Sequence, residues 1–343
     1  MDVLLVLAIV GILLSLLFAF TNGYNDAGAD VATMVSSGAA SVKGALLTAS
    51  LANFVGALVG GSAVVLTMQG VLNHDVGENV ALAIFAAVAA ANAWNIFTWY
   101  YGIPSSSTHA LIGGLIGVGL AFHGLTGVNW GWEELLAGHL SGVTKVLVFL
   151  IASVLLGFLG GYILMKIAGV ALRRAKIRIN ANLKRAQWLT TGVQTFAHGA
   201  NDAQKQMALI ALLLMAAGSS SSLEIPLWVR VACAAAIALG TLGGGYRIMR
   251  TVGRKIFKIK PVHALVSQAN SSLTVLFSTL LGAPVSSTQV ITSGVMGVGT
   301  AENRKLVHWR VGKDLVVSWF LSIPVTMVLA AILVIALRSL LGL

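Results

Sequence analysis

The chain of 343 residues is 57% hydrophobic and only 10% charged, and its net charge at pH 7 is +11. Soluble domains carry about 25% charged residues, so this composition excludes a soluble globular protein and predicts an all-α, polytopic membrane protein. The apolar runs are continuous and do not alternate, which excludes a transmembrane β-barrel. Nucleic acid is not expected as a partner, because the positive charge lies between apolar runs and no groove-reading motif accompanies it.

The first apolar segment contains an asparagine–aspartate pair, Asn25 and Asp26, within residues 21–28 (TNGYNDAG). An aspartate at the centre of a bilayer costs about 2.5–3.5 kcal/mol on insertion scales, so this pair indicates a functional site. Gly23 precedes the pair and predicts a break in the helix that exposes backbone groups. Asp30, one turn further, is either a third acid of the same site or a solvated residue at the cytoplasmic end.

A second type of motif follows at residues 102–108 (GIPSSST), where Pro104 ends one helix and hydroxyl residues can cap the next. Plain helix capping is one interpretation of this motif. The other is a helical hairpin at membrane depth. The N-terminus of its second helix then offers free N–H groups and about half a positive charge to an anion.

Both motifs recur in the second half of the chain. The Asn-Asp pair returns as Asn201 and Asp202 at an offset of 176, and the proline–serine motif returns at residues 282–288 (GAPVSST) at an offset of 180. Over residues 102–119 and 282–299, 9 of 18 aligned positions are identical. The sequence therefore predicts two repeats with discontinuous helices, the breaks lying at the Asn-Asp pairs, and two Pro-x-Ser-Ser-Thr helical hairpins.

Most basic residues lie in four connections between apolar segments, which is the positive-inside pattern of cytoplasmic loops. With those connections inside, the two halves run in opposite directions, as inverted-topology repeats do. The pattern predicts an N-terminal membrane repeat at 1–170, a basic cytoplasmic connection at 171–187 and an inverted C-terminal repeat at 188–343. Both termini, and the connections at 73–78 and 219–222, are predicted on the extracytoplasmic side of the cell (inner or plasma) membrane.

The residue types in the motifs suit a tetrahedral oxyanion that travels with a cation. Helix N-termini and neighbouring hydroxyls can hold phosphate or sulfate. Asp26 and Asp202 would repel such an anion unless they bound Na⁺ or a proton, so the motifs predict cation-coupled symport. Lys205, one turn after Asp202, lies either in the anion pocket or in an internal salt bridge. His109 and His198 adjoin the motifs as proton carriers or as hydrogen-bonding wall residues.

Together these motifs resemble the inorganic phosphate transporter (PiT) family, the phosphate permeases. The resemblance is clearest at residues 99–119 (WYYGIPSSSTHALIGGLIGVG) and 198–205 (HGANDAQK), which are similar to the bacterial low-affinity permeases. It implies phosphate uptake driven by Na⁺ or H⁺, in some bacterial members as a metal–phosphate complex. The chain departs from the family at Ala29, where Asn is usual, and an acid follows at Asp30.

The motifs and the resemblance predict two groups of site residues. The predicted phosphate ligands are Asn25, Ser106, Ser107, Thr108, Asn201, Lys205, Ser286, Ser287 and Thr288. The predicted coupling-ion ligands are Asp26, Asp30, Asp202 and Gln204, with Asp26 and Asp202 as direct ligands of Na⁺. No cofactor is expected beyond the transported phosphate and the coupling Na⁺ or H⁺. The lipid bilayer is the other expected partner, and a homo-oligomer is left open.

The predicted function is therefore secondary active import of phosphate by alternating access. A sulfate or metal–phosphate carrier of the same fold is the main alternative, and an anion channel, which would need no acids, comes next. An enzyme is not expected, because the sequence contains neither a His-Glu-x-x-His metal motif nor a nucleophile elbow.

Overall fold

A computed structural model describes residues 3–73, 80–103, 105–219 and 224–342 of the chain. Within those ranges the secondary structure is helical, apart from one isolated β-bridge. Most of the two predicted external connections, 73–78 and 219–222, lies outside the described residues, and so does Pro104.

The α-helices of the described ranges follow one another without strands between them. In chain order they are α1 (Val3–Ser36), α2 (Val42–Val59), α3 (Ala63–Gln69), α4 (Val80–Tyr101), α5 (Ser107–His123), α6 (Trp132–Leu136), α7 (Gly142–Ala171), α8 (Ile179–Ala216), α9 (Leu227–Gly243), α10 (Tyr246–Arg250), α11 (Pro261–Leu280), α12 (Ser287–Asn303) and α13 (Trp309–Leu341).

Among the described helices, six are long and apolar enough to cross a membrane: α1, α2, α4, α5, α7 and α13. α9 and the segment that begins with α10 pass the same test together as a span bent by 57°. α8 carries many polar side chains, which are buried against other helices. Polar groups in membrane helices face the bundle interior in this way. The architecture confirms the predicted all-α polytopic fold.

The helix break predicted at each Asn-Asp pair is wrong. α1 and α8 run without interruption through both pairs. A Cβ at Gly23 would lie 2.2 Å from the carbonyl oxygen of Ile237, and one at Gly199 would lie 2.2 Å from that of Asn53. These glycines therefore allow α1 and α8 to pack closely on α9 and α2, as small residues do between membrane helices.

The discontinuities lie instead in the neighbouring helices. α2 ends at Val59 and α3 begins at Ala63, and α9 ends two residues before α10 begins. Gln204 of α8 bridges the first break, because its amide accepts from the backbone N–H of Val64 at 2.8 Å and donates to the carbonyl of Gly60 at 2.8 Å. These bonds satisfy backbone groups that a broken helix leaves without partners.

The two predicted hairpins are present. α4 packs against α5, and α11 packs against α12. Gly102 and Gly282 turn the chain between the helices of each pair with φ of +66° and +65°, a region that favours glycine. The hydroxyl of Thr108 donates to the carbonyl oxygen of Val285 at 3.0 Å, so the tips of the two hairpins touch inside the protein.

The helix contacts are paired between the two halves. α1 packs on α9 while α8 packs on α2, α1 packs on α4 while α8 packs on α11, and α5 packs on α13 while α12 packs on α7. Two repeats would produce this arrangement, and their inverted orientation in a membrane stays a prediction. α8 begins at Ile179, so much of the predicted connection 171–187 is helical.

Candidate functional site

The two aspartates of the Asn-Asp pairs lie together in the interior of the protein. Nε2 of His198 is 3.5 Å from a carboxylate oxygen of Asp26 and 3.3 Å from one of Asp202. One ligand atom from each of these three residues lies within 4.8 Å of the others, and all three residues are buried. An imidazole and two carboxylates at this spacing can hold a cation or share a proton.

Asp30 joins the same cluster. Its carboxylate lies 2.6 Å from Nδ1 of His198, and the side chain is fully buried. Gln194 holds the backbone there by donating to the carbonyl oxygen of Asp30 at 3.0 Å. The structure therefore places Asp30 with the buried acids and not in water at the cytoplasmic end.

The second hairpin meets the first Asn-Asp pair. At the start of α12, the hydroxyl of Thr288 donates to one carboxylate oxygen of Asp26 at 2.6 Å. The hydroxyl of Ser287 donates to the other oxygen at 3.4 Å. Two of the predicted phosphate ligands therefore lie against a predicted coupling-ion ligand.

The first hairpin reaches the second Asn-Asp pair through Asn22. The hydroxyl of Ser107 donates to the amide oxygen of Asn22 at 2.6 Å, and the amide nitrogen of Asn22 donates to Asp202 at 2.9 Å. Asn22 is not among the predicted site residues, although it stands at the position that corresponds to His198 by the offset of 176. That correspondence is the signal that could have identified it.

Lys205 lies at the junction of both hairpins and is 1% exposed. Its Nζ donates to the carboxylate of Asp202 at 2.7 Å, to the hydroxyl of Thr108 at 2.6 Å and to the carbonyl oxygen of Val285 at 2.7 Å. An ammonium group has three protons, so these oxygens account for all of them. Of the two sequence interpretations, this geometry matches the internal salt bridge.

The two asparagines of the pairs have different surroundings. Asn201 donates to Thr279 at 2.9 Å and to the carbonyl of Ala283 at 3.0 Å, and it accepts from the N–H of Val285 at 3.2 Å. It is thereby tied to the turn of the second hairpin. Asn25 donates to the carbonyl of Asn95 at 3.1 Å and lines a cavity.

That cavity has a volume of about 280 Å³ and lies between α1 and α4. Its walls are largely aromatic and aliphatic, and its polar lining is drawn from both helices. The lining residues are Phe20, Thr21, Tyr24, Asn25, Asn95, Ile96 and Trp99. Asn25 is the residue of the first Asn-Asp pair that lines it.

The remaining predicted ligands lie around the cluster in supporting positions. Ser106 caps α5, since its side chain accepts from the N–H of His109 at 3.1 Å. Ser286 stands at the corresponding position before α12 and makes no such cap bond. Gln204 is bonded to the break between α2 and α3, and the roles of all these residues stay predictions.

The cluster has a formal excess of negative charge. With all three carboxylates ionised and Lys205 protonated, the formal charges sum to −2 when His198 is neutral and to −1 when it is protonated. Buried charge of this kind is unfavourable unless it is paired. An additional cation in such a site would offset the repulsion between its carboxylates and an incoming anion.

Comparisons with known proteins agree with this chemistry. A family model described as "Phosphate transporter family" matches residues 22–330. The chain is 36% identical over 334 residues to a protein of Bacillus subtilis (strain 168) named "Probable low-affinity inorganic phosphate transporter", and 97% of each chain is covered. A protein of the same name from Rhizobium meliloti (strain 1021) is 36% identical over 324 residues, covering 94% of this chain and 93% of the relative.

A solved structure has the same fold. It is titled "The sodium-dependent phosphate transporter" and matches with a TM-score of 0.87 and 25% identity, over 97% of this chain and 99% of that one. The matched proteins are transporters and not enzymes.

Proposed function

Because the chain belongs to the phosphate transporter family, we propose that it imports inorganic phosphate across the cell membrane by symport with Na⁺ or H⁺. One observation in the structure supports the coupling to a cation, in addition to the family membership. The two aspartates of the repeated motif share a buried cluster with hydroxyl groups from the tips of both hairpins. Carboxylates beside anion-binding helix N-termini would repel the anion, and a cation that binds them and moves with the anion removes that repulsion.

Phosphate in this proposal lies between the N-termini of α5 and α12, which supply backbone N–H groups and hydroxyls. The coupling cation binds beside Asp26, whose carboxylate is bonded to Thr288 and Ser287. Loading that carboxylate with a cation removes its repulsion of the phosphate. Without the cation, the same hydroxyls remain engaged with Asp26, so phosphate and cation bind together.

The two halves differ in a way that supports alternating access. Asn25 of the first pair lines the cavity between α1 and α4, whereas Asn201 of the second pair is bonded to the turn of the second hairpin. In paired repeats, exchange of the two arrangements would close the first half and open the second. The breaks in α2–α3 and α9–α10 are the natural hinges for that exchange.

Both coupling ions have support. The structural neighbour is named for sodium dependence, which favours Na⁺. The contact of 2.6 Å between His198 and the buried carboxylate of Asp30 favours H⁺, because an imidazole and a carboxylate in contact can share a proton. An uptake assay in which Na⁺ and pH are varied independently distinguishes the two coupling ions.

The test is phosphate uptake into vesicles reconstituted with the full chain, with Na⁺, pH and Mg²⁺ varied independently. We expect uptake to require an inward gradient of Na⁺ or of protons and to be competed weakly by sulfate. Absence of phosphate uptake under every gradient would refute the proposal. Equal competition by sulfate would identify a general oxyanion carrier, and a requirement for Mg²⁺ would identify the metal–phosphate complex as the substrate.

A further inference from the structure

The surroundings of Lys205 are those of a bound monovalent cation. A carboxylate, a hydroxyl and a backbone carbonyl direct oxygens at its Nζ at 2.6–2.7 Å. These are the oxygen ligands that a hard cation selects in a protein. The three oxygens come from α8, α5 and the turn before α12, so the ammonium group connects both hairpin tips to the second Asn-Asp pair.

The internal repeat identifies what stands at the equivalent place in the first half. By the offset of 176, Asp202 corresponds to Asp26 and Lys205 corresponds to Ala29, which has no charge. By the offset of 180, Thr108 corresponds to Thr288.

The equivalent contacts differ accordingly. In the first half, the threonine hydroxyl donates directly to the carboxylate of Asp26 at 2.6 Å. In the second half, the ammonium of Lys205 stands between the carboxylate and the threonine, bonded to both.

The acidic residues of the two halves also differ in whether a lysine accompanies them. Asp26 and Asp30 belong to the first half, where no lysine accompanies them in the motif. Asp202 in the second half is 2.7 Å from Lys205. The second carboxylate is therefore paired with a basic side chain, whereas in the described part of the chain the basic group that contacts Asp26 and Asp30 is the shared imidazole of His198.

We infer that Lys205 is a tethered cation that occupies the cation position of the second Asn-Asp pair, so that only the first pair takes up a mobile coupling ion. This inference rests on the proposed symport. It implies that each phosphate is accompanied by one mobile cation fewer than two equivalent Asn-Asp sites would carry. It also explains how a lysine fully engaged with protein oxygens can contribute to transport without binding phosphate.

The first test replaces Lys205 by Asn in the full chain. Breaking this buried ion pair leaves the carboxylate of Asp202 without its ammonium partner, so we expect phosphate uptake at low Na⁺ to fall by about 100-fold or more. Uptake should return as Na⁺ or Li⁺ is raised, with a steeper cation dependence than in the parent chain. Lys205→Arg, which keeps the charge, should not gain this dependence, and Lys43→Ala at an exposed position is the matched control.

Two results would overturn the inference. A folded Lys205→Asn variant with the same cation dependence as the parent would show that Lys205 does not occupy a cation position. A folded variant that stays inactive at every concentration of Na⁺ and Li⁺ would show that the lysine is a structural tie only.

A second variant keeps the inference testable if Lys205→Asn does not fold. Asp202→Asn combined with Lys205→Met removes both charges together, which avoids an unpaired buried group. Its uptake rate should fall, but its cation dependence should keep the steepness of the parent. Loss of cation dependence in this double variant would mean that Asp202 also binds a mobile ion, contrary to the inference.

A binding measurement separates this inference from the proposed function. Titration of purified Lys205→Asn with NaCl by calorimetry should detect one more bound Na⁺ than the parent chain binds, whatever anion the protein carries. A parent chain that transports no phosphate would refute the symport and leave this result standing. Equal Na⁺ binding by both proteins would refute the tethered cation and leave the symport standing.

Discussion

His198 shows how a single residue organises the buried charges of this protein. Its two ring nitrogens face three carboxylates, with Asp30 on Nδ1 and both Asp26 and Asp202 on Nε2. The corresponding residue of the first half is Asn22, whose amide links Ser107 to Asp202. One repeat therefore contributes a titratable ring and the other a neutral bridge, which makes the two half-sites chemically unequal.

The carboxylates of Asp26 and Asp202 are expected to be required for coupled uptake. An asparagine keeps the shape of the side chain but removes its negative charge. Asp26→Asn removes the charge that the mobile cation needs, and Asp202→Asn leaves the ammonium of Lys205 without its carboxylate, so we expect each to lower uptake by about 100-fold or more. Phosphate uptake into vesicles measures this. The exposed Asp314→Asn on α13 is the control and should retain uptake. Full activity with both buried aspartates replaced would contradict the coupling argument.

Asp30 is expected to set the pH dependence of uptake. Asp30→Asn preserves a hydrogen-bonding group next to His198 but cannot exchange a proton with it. If protons are the coupling ions, uptake by this variant should vary less with pH than uptake by the parent does over about pH 5–8. Initial rates measured across that range decide the point. Parallel pH profiles for variant and parent would remove Asp30 from the proton pathway.

At the scale of single elements, the start of α5 and the start of α12 provide a matched comparison. Ser106 caps α5 through its side chain, whereas Ser286 makes no cap bond to α12. We expect Ser106→Ala to destabilise the protein by about 1 kcal/mol and Ser286→Ala to leave stability nearly unchanged. Thermal unfolding in detergent measures both.

Uptake assays of the same two serine variants address the predicted phosphate role separately. If both hydroxyls bind phosphate, both variants should raise the phosphate concentration needed for half-maximal uptake. Unchanged half-saturation in both would restrict these serines to helix capping and packing.

The close packing of α2 on α8 is a second property of whole helices. A Cβ at Gly56 of α2 would lie 2.0 Å from the carbonyl oxygen of Phe196 in α8. Gly56→Ala must push the two helices apart, so we expect a loss of about 1–3 kcal/mol in stability. Gly192 of α8 has no such neighbour within 4 Å, and Gly192→Ala should be neutral or slightly stabilising. Equal thermal stability of the two variants would contradict this assignment.

At the scale of the whole molecule, the distribution of basic residues predicts the orientation in the membrane. A cysteine at Ser219, at the C-terminal end of α8, should react with an impermeant thiol reagent added outside the cell. A cysteine at Arg174, in the connection between α7 and α8, should react only after the membrane is opened. Both positions are exposed, and the parent chain, whose Cys233 is buried, is the unlabelled control. The reverse labelling pattern would invert the topology and place both termini in the cytoplasm.

Length, hydropathy and motif spacing were enough to predict the helical membrane fold and the two hairpins. Those properties are local, because a run of apolar residues or a proline followed by hydroxyls acts on its own segment of chain. The internal repeat also predicted relations between distant segments, since matching motifs at offsets of 176 and 180 imply structurally equivalent positions in the two halves. Asp26 and Asp202 could therefore be placed together before any coordinates were considered.

Only the tertiary structure decided which groups surround each of those residues. The glycine of each Asn-Asp motif lies in an unbroken helix, where a Cβ would stand 2.2 Å from a carbonyl oxygen of the neighbouring helix, and the breaks fall elsewhere. Lys205 is held by three protein oxygens, and Asp30 is buried against His198. The spacing of residues within one segment does not show which side chains of distant helices will contact that segment. Those contacts determine whether a buried charge is paired by a side chain or by a mobile ion.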